Sequence, residues 1–203
     1  WEVAGWHNDG TPFSGLWTRN EAGLAGDTVY SVAVGDLDND GDLDVVSGND
    51  AATGWEVSGW QNDGTPFSGL WTQREVGDSS SNVLSVALGD LDGDGDLDVV
   101  AGSDSREDYE VIAWQNDGSP FSSTWTQSDV GATGAVQSVA LGDLDGDGDL
   151  DLVSGDSTGI ITVWQNDGTP FSGTWTSNQV GDLAWEARIA LGDLDNDGDL
   201  DIV

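Results

Sequence analysis

The chain has 203 residues, 36% of them hydrophobic, and a formal net charge of −35 that comes from 39 acidic and four basic side chains. This length suffices for one large domain or two small ones with a packed core. Nucleic acids and anionic membrane surfaces are bound through clustered Lys and Arg, so the charge excludes a nucleic-acid partner and argues against membrane binding. With no Cys, disulfides, thiolate catalysis and Cys-ligated metals are excluded as well.

The acidic composition does not indicate a disordered chain. Disordered acidic segments lack aromatic and β-branched residues, whereas this sequence has eleven Trp and regularly placed Val. No apolar run reaches the eighteen or so residues of a membrane helix, and no signal-peptide pattern is present, so we expect no membrane insertion. The sequence starts at Trp1 in the middle of a repeat, as expected of a processed or trimmed amino terminus.

Two motifs alternate along the chain. The first reads Trp-[His/Gln]-Asn-Asp-Gly-[Thr/Ser]-Pro-Phe-Ser and starts at Trp6, Trp60, Trp114 and Trp164. The second, here called the acidic loop, has Asp at positions one, three, five, seven and nine, and starts at Asp36, Asp90, Asp143 and Asp193. A period near 50 residues with several strand-like runs per unit predicts propeller blades, which bury their faces by stacking.

Each unit contains four predicted strands, which in the second whole unit cover residues 84–88, 97–101, 110–114 and about 121–130 through Trp125. The sequence Asn116-Asp117-Gly118 after the third strand is a strong hairpin signal, because these residues tolerate positive φ.

Both faces of the third strand are apolar. Tyr109, Val111 and Ala113 alternate with Ile112 and Trp114. This pattern suits a sheet that is sandwiched between two others, as a blade is.

The phase of the repeat predicts an all-β propeller segment with four blade equivalents. Three are whole and cover about 29–82, 83–135 and 136–184. The fourth is split, with its third and fourth strands in 1–28 and its first and second strands in 185–203. We expect another chain or missing sequence to complete the split blade, since a four-blade ring would crowd these Trp-bearing units; closure within a small ring is the alternative.

The acidic loops are predicted metal sites. Two carboxylates about 5 Å apart repel each other by roughly 3 kcal/mol at an effective dielectric near 20, and each loop contains several such pairs. Position four is always Asn or Gly, which most easily adopt a left-handed turn, and position six is Gly. The candidate ligands are Asp36, Asp38, Asp40, Asp42, Asp44, Asp90, Asp92, Asp94, Asp96, Asp98, Asp143, Asp145, Asp147, Asp149, Asp151, Asp193, Asp195, Asp197, Asp199 and Asp201.

An oxygen-only cage favours Ca²⁺, about four ions per chain, over Mg²⁺, which tends to keep its waters. Zinc is disfavoured because the chain has no Cys and only one His.

The string Asp-Leu-Asp-[Asn/Gly]-Asp-Gly-Asp-Leu-Asp, with Val-Ala-[Val/Leu]-Gly before it and an aliphatic pair after it, resembles the calcium loop of FG-GAP/VCBS repeats. These repeats form the blades of integrin α-subunit propellers and of many bacterial surface proteins. The resemblance implies that side chains one, three, five and nine and the carbonyl of residue seven bind calcium. Because the chain lacks the Phe-Gly and Gly-Ala-Pro strings of integrins, it is more similar to the bacterial branch.

Other recurrent residues have two interpretations each. The series Trp6/60/114/164 and Trp17/71/125/175 are expected in the core between blades, although exposed Trp could stack on a sugar. The variable segments 50–54, 78–82, 103–108 and 132–135 are candidate binding edges or plain connectors. His7 replaces a Gln of the other copies and is interpreted as drift of the repeat.

These observations predict no catalytic site, since the sequence lacks a nucleophile elbow and its acids lie in the loops; a carboxylate-pair glycosidase stays open. The expected function is a calcium-stabilised extracellular or cell-surface scaffold for adhesion or assembly, whose ligand is a protein or a glycan. A carbohydrate-binding lectin and an accessory domain of a secreted hydrolase or lyase are the alternatives.

Overall fold

A computed structural model describes residues 2–25, 28–52, 54–69, 71–105 and 110–203. Within these ranges the chain forms sixteen β-strands and no helix, so no segment there has the length and apolarity that a membrane-crossing helix needs. The strands are β1 (Glu2–His7), β2 (Thr18–Leu24), β3 (Val29–Gly35), β4 (Asp44–Asn49), β5 (Val57–Gln61), β6 (Thr72–Gly77), β7 (Val83–Gly89), β8 (Asp98–Ser103), β9 (Val111–Gln115), β10 (Thr126–Gly131), β11 (Val136–Gly142), β12 (Asp151–Asp156), β13 (Ile160–Gln165), β14 (Thr176–Asp182), β15 (Leu191–Gly192) and β16 (Asp201–Ile202).

The strands form antiparallel sheets in which each strand pairs with the next one along the chain. Three sheets have four strands: β3 to β6, β7 to β10 and β11 to β14. A two-stranded sheet lies at each end, β1 with β2 and β15 with β16. The predicted all-β fold of repeated four-stranded, blade-like sheets is thereby confirmed. By its place in the repeat, the pair β1 and β2 corresponds to the third and fourth strands of a blade, and the pair β15 and β16 corresponds to the first and second strands.

The predicted fourth strand is too long at its beginning. Residues after Pro120 form a turn in which the N–H groups of Ser122 and Ser123 donate to the carbonyl of Ser119, both at 3.0 Å. The indole N–H of Trp125 then donates to the carbonyl of Pro120 at 3.1 Å. The turn satisfies these groups locally, so β10 begins only at Thr126, and ten residues rather than a tight hairpin connect it to β9.

The core lies between consecutive sheets. As predicted, the third strand is buried on both faces, with Val111, Ile112, Ala113 and Trp114 all buried; Tyr109 lies outside the described residues. One cluster joins residues of β4 and β5 to residues of β7 to β9, and a second joins β8 and β9 to β11 to β13. Because each sheet is apolar on both faces, a single isolated sheet would expose both of these faces to water.

The Trp residues of the first series fit against glycines of the preceding sheet. A Cβ at Gly77 would overlap the indole of Trp114, and a Cβ at Gly131 would overlap that of Trp164. Trp60 packs on Gly23 in the same way. These three Trp side chains are buried, which confirms the predicted core role within the complete sheets.

Serine hydroxyls connect the first strands of neighbouring sheets. Ser31 Oγ accepts a hydrogen bond from the N–H of Val86 at 3.2 Å, and Ser85 Oγ accepts one from Val139 at 3.1 Å. A bulge just before each of these serines shifts the strand register. The sheets are therefore joined by hydrogen bonds between their first strands as well as by apolar packing.

We expect Gly131→Ala to lower the free energy of unfolding by about 1 to 3 kcal/mol, because its methyl group would displace the buried Trp164 indole. Gly5→Ala is the matched control, since the nearest atom to its Cβ would be the ring edge of the partly exposed Phe67 at 3.3 Å. Its effect should stay within about 0.5 kcal/mol. Urea unfolding in excess calcium measures both, and equal effects would contradict this packing.

Candidate metal centres

Each acidic loop connects the first and second strands of a sheet. In the first loop Gly35 pairs with Asp44, the ninth residue, so positions one to eight form the connection. The fourth residue has positive φ in all four loops, at 57° for Asn39, 74° for Gly93, 76° for Gly146 and 62° for Asn196. The predicted left-handed turn at position four is therefore confirmed. The Gly at position six also has positive φ in every loop.

The turn brings carboxylates together in each loop. Three acidic side chains have oxygen atoms within 4.8 Å of one another, and none of these groups includes the seventh side chain. The groups are Asp36, Asp38 and Asp40; Asp90, Asp92 and Asp94; Asp143, Asp145 and Asp151; and Asp193, Asp195 and Asp197. Positions one, three and five meet in three loops, and positions one, three and nine meet in the third loop.

Backbone N–H groups fix the first carboxylate of each loop. Asp36 Oδ1 accepts a hydrogen bond from Asp40 at 3.1 Å, and Oδ2 accepts one from Gly41 at 2.9 Å. Asp90, Asp143 and Asp193 each accept a pair of N–H groups from their own loops. The carboxylate of Asp40 accepts from the N–H of Asp42 at 2.9 Å. The ligands are thus oriented by the loop backbone itself.

A glutamine at the end of the third strand holds the third carboxylate. Gln61 Nε2 donates to Asp38 Oδ2 at 2.7 Å, and Gln115 makes the same contact with Asp92. Gln165 donates to Asp145 at 2.6 Å. Asp38 Oδ1 is buried and has no hydrogen-bond partner. A buried carboxylate oxygen without a donor is costly unless a cation supplies the missing interaction.

The ninth carboxylate connects the loop to the third strand. Asp98 Oδ2 accepts from the N–H of Leu91 at 2.9 Å, and Oδ1 accepts from Asn116 at 2.8 Å. Asp44 and Asp151 make the equivalent pairs of hydrogen bonds. Burial raises the pKa of Asp98 to about 7 and that of Asp44 to about 6, although the donated N–H groups act in the opposite direction.

The seventh side chains point towards neighbouring segments. Asp42 and Asp96 lie against Gly64 and Gly118 of the Trp-Gln-Asn-Asp-Gly motif in the same sheet. Asp96 Oδ1 also accepts a hydrogen bond from Asn39 Nδ2 of the preceding loop at 2.6 Å. The side chain of residue seven is therefore engaged outside the carboxylate group.

The donors present fit a hard cation. The groups consist of carboxylate oxygens, which are the ligands of Ca²⁺ and Mg²⁺, and a flexible loop with several carboxylates suits the larger Ca²⁺. The carboxylates at positions one, three and five of three loops, and at positions one, three and nine of the third loop, could hold the ion. The bound charge would neutralise the repulsion among these acids.

Sequence reasoning missed two residue types that support the loops. Besides the glutamines, Asn116 Nδ2 donates to the carbonyl of Leu37 in the preceding loop at 2.8 Å, and Asn166 does the same with Leu91. The recurrence of Gln-Asn after three of the four third-strand Trp residues was the available signal. His7 occupies the glutamine position in the first motif, and its ring lies 4.8 Å from that of Phe67.

Glu56 and Asp78 form a pair of carboxyl groups away from the acidic loops. Glu56, just before β5, is buried, and its Oε2 has no hydrogen-bond partner. Burial first, and then the neighbouring Asp78 carboxyl, raise the pKa of Glu56 to about 7. This pair belongs to the edge of the sheet opposite the acidic loop, because Glu56 precedes the third strand and Asp78 follows the fourth.

The described geometry defines a class of protein: an all-β repeat protein in which an acidic loop, with its carboxylates grouped together, connects the first and second strands of the repeat. A family model for the FG-GAP-like repeat matches residues 36–101, 96–154 and 143–203. Together these matches cover residues 36–203, and the chain belongs to the FG-GAP-like repeat family. A search among curated proteins found no match. FG-GAP repeats are typical of extracellular or surface proteins and indicate a binding or structural module.

The raised pKa of Glu56 predicts a pH-dependent stability. Between the ordinary value of 4.5 and about 7 the folded state holds a proton that the unfolded state has lost. The contribution of Glu56 to the free energy of unfolding should therefore be largest below about 4.5 and fall as the pH rises towards 7. Glu56→Gln keeps the shape but cannot ionise, so its stability should fall less over this interval.

Denaturant unfolding at several pH values, in saturating calcium, measures this difference. The matched control is Glu75→Gln, because Glu75 is exposed on β6. A profile for Glu56→Gln that runs parallel to that of the unmodified chain would contradict the assignment.

Proposed function

We propose that the protein is a calcium-stabilised extracellular or cell-surface scaffold that serves adhesion or assembly and is not an enzyme. The observation that carries the proposal is the recurrence of a group of three carboxylates in all four acidic loops, in each of which the N–H of the sixth residue donates to Oδ2 of the first. A catalytic site is used once, whereas a structural ion is needed in every blade. Repetition in each loop therefore favours a structural role.

The position of the loops explains what the ion would stabilise. Each loop connects the first two strands of a sheet, and in the three four-stranded sheets its ninth residue also holds the end of the third strand through a buried carboxylate. A cation at the loop would thus stabilise three of the four strands of a blade. Extracellular calcium is concentrated enough to fill low-affinity sites with dissociation constants near 10⁻⁴ to 10⁻³ M. The calcium of a resting cytosol would leave such sites empty.

A lectin function is the second candidate. Trp55 and Trp185 lie outside both Trp series, and both are exposed on segments that connect strands. An exposed indole offers an apolar face on which a sugar ring can stack. A glycan array probed with the calcium-loaded chain distinguishes the two functions: specific binding that Trp185→Ala abolishes favours the lectin, and no glycan binding favours the scaffold.

Calcium removal tests the structural role of the loops. A ligand that binds only the folded state at a hundredfold excess over its Kd stabilises that state by about 2.7 kcal/mol per site. We therefore expect a chelator to lower the melting temperature strongly, and calcium to restore it. An unchanged melting temperature in excess chelator would contradict the proposal.

Single substitutions show whether the effect comes from the loops. Asp92→Asn should remove one calcium ion per chain and shrink the stabilisation by calcium, because Asp92 belongs to the carboxylate group of its loop. The control Asp117→Asn alters an exposed carboxylate whose pKa is lowered by hydrogen bonds from Ser119 and Ser123. It should bind as much calcium as the unmodified chain, as measured by calorimetric titration.

A further inference from the structure

The edge of the sheets opposite the acidic loops contains buried oxygen atoms that lack a hydrogen-bond partner. The last residue of the second strand supplies one such atom in each four-stranded sheet: Asn49 Oδ1, Ser103 Oγ and Asp156 Oδ2. All three residues are at most 1% exposed. A buried polar atom without a partner costs free energy, so its recurrence indicates that an ordered water or an ion supplies the missing interaction.

In the sheet of β3 to β6 a second atom of this kind lies beside the first. The N–H of Asn49 donates to the carbonyl of Glu56 at 2.7 Å, so the two residues lie opposite each other and their side chains project from the same face. Glu56 is 2% exposed, and its Oε2 has no partner either. Asn49 Nδ2 already donates to the carbonyl of Trp55 at 2.9 Å and to Ser58 Oγ at 3.3 Å. The amide oxygen of Asn49 is therefore left for the ligand.

Asp78 adds a second carboxyl group on the solvent side of these two residues. Burial and the Asp78 carboxyl, which is within hydrogen-bond reach, raise the pKa of Glu56, and the N–H of Ser79 acts in the opposite direction. Asp78 itself is exposed, and its Oδ1 accepts from the N–H of Ser80 at 2.6 Å. Asn49, Glu56 and Asp78, here called the edge cluster, thus offer oxygen ligands with an entry path from solvent.

The next sheet shows how the same place is satisfied without a second acid. Glu110 takes the position of Glu56, but Ala132 takes that of Asp78. The N–H of Thr133 donates to Glu110 Oε2 at 3.2 Å, so this oxygen has a donor. In the edge cluster, by contrast, Glu56 Oε2 has none, and a second carboxyl adds negative charge. The edge cluster is therefore the place at this edge where a cation is most needed.

The charge of the edge cluster suits a monovalent cation. Only Glu56 carries its charge into the interior, since Asp78 is in contact with water. One positive charge therefore compensates the buried carboxylate. Affinity for Ca²⁺ depends on the number of charged ligands, and among the residues that the structure describes, groups of three acids occur only in the acidic loops. The edge cluster lacks the third carboxylate that each loop supplies.

We propose that the edge cluster is a second kind of cation site, which binds a monovalent ion such as Na⁺ through Asn49 Oδ1, Glu56 Oε2 and the Asp78 carboxylate, with water completing the shell. The ion connects the end of the second strand, the start of the third and the segment after the fourth. The sheet of β3 to β6 is then held by a cation at each of its two edges.

Urea unfolding at about pH 8 in saturating calcium tests the site, with NaCl compared against choline chloride at equal ionic strength. At this pH the Glu56 carboxyl, whose pKa is about 7, is largely ionised without the ion. Calcium fills the acidic loops, choline is too large for the edge cluster, and equal ionic strength cancels general screening. Once sodium exceeds its Kd, each tenfold increase should raise the ratio of folded to unfolded chain about tenfold.

Two substitutions should remove this dependence on sodium. Glu56→Gln keeps the shape of the side chain but not its charge, and Asp78→Ala introduces the residue that the next sheet has at this place. The matched control is Glu110→Gln, which alters an equally buried carboxyl group. It should retain the sodium effect whatever its own cost in stability.

Three results would overturn the proposal. Equal stability in the two salts would mean that a proton or a water satisfies the edge cluster. A sodium effect that survives both substitutions would place the ion elsewhere. A calcium ion beyond those held by the acidic loops, lost in Glu56→Gln, would make the site divalent.

Discussion

Repulsion among carboxylates is the constraint on which the structure depends. Each acidic loop places five Asp within nine residues, and the turn at positions four and six brings three of their side chains within 4.8 Å. The loop is held by its own N–H groups, yet Asp38 Oδ1 stays buried without a donor. A cation would resolve both problems, since it balances the charge and satisfies the oxygen. The ninth carboxylate accepts a hydrogen bond from the N–H that follows the third strand, so a cation that orders the loop would also help to hold this strand.

The second constraint is that a blade has two apolar faces. The third strand is buried on both sides, so each sheet needs a neighbour on either side. Trp114 shows how closely the surfaces fit, because only a glycine at position 77 leaves room for its indole. The acidic loops also take part in the contacts between sheets. Asn116 donates a hydrogen bond to the carbonyl of Leu37, and Asn39 donates one to Asp96, in each case between neighbouring repeats. The acidic loops are therefore linked to the packing of the sheets by hydrogen bonds.

Repetition made much of this structure predictable. The spacing of the motifs predicted the order of the strands and the split phase, and the restriction of position four to Asn and Gly predicted its positive φ. The turn after Pro120 was missed, because Phe121 and Trp125 look like strand residues until the local hydrogen bonds are known. The role of Asn116 was missed because its partner Leu37 lies 79 residues away in another sheet. Contacts between repeats cannot be inferred from the pattern within one repeat.

Native mass spectrometry of the folded chain in calcium tests the central claim most directly, because it counts the ions held by each polypeptide. The account predicts four calcium ions per chain, one for each carboxylate group, with one fewer in a chain that carries Asp92→Asn. A folded chain that retains no calcium would contradict it.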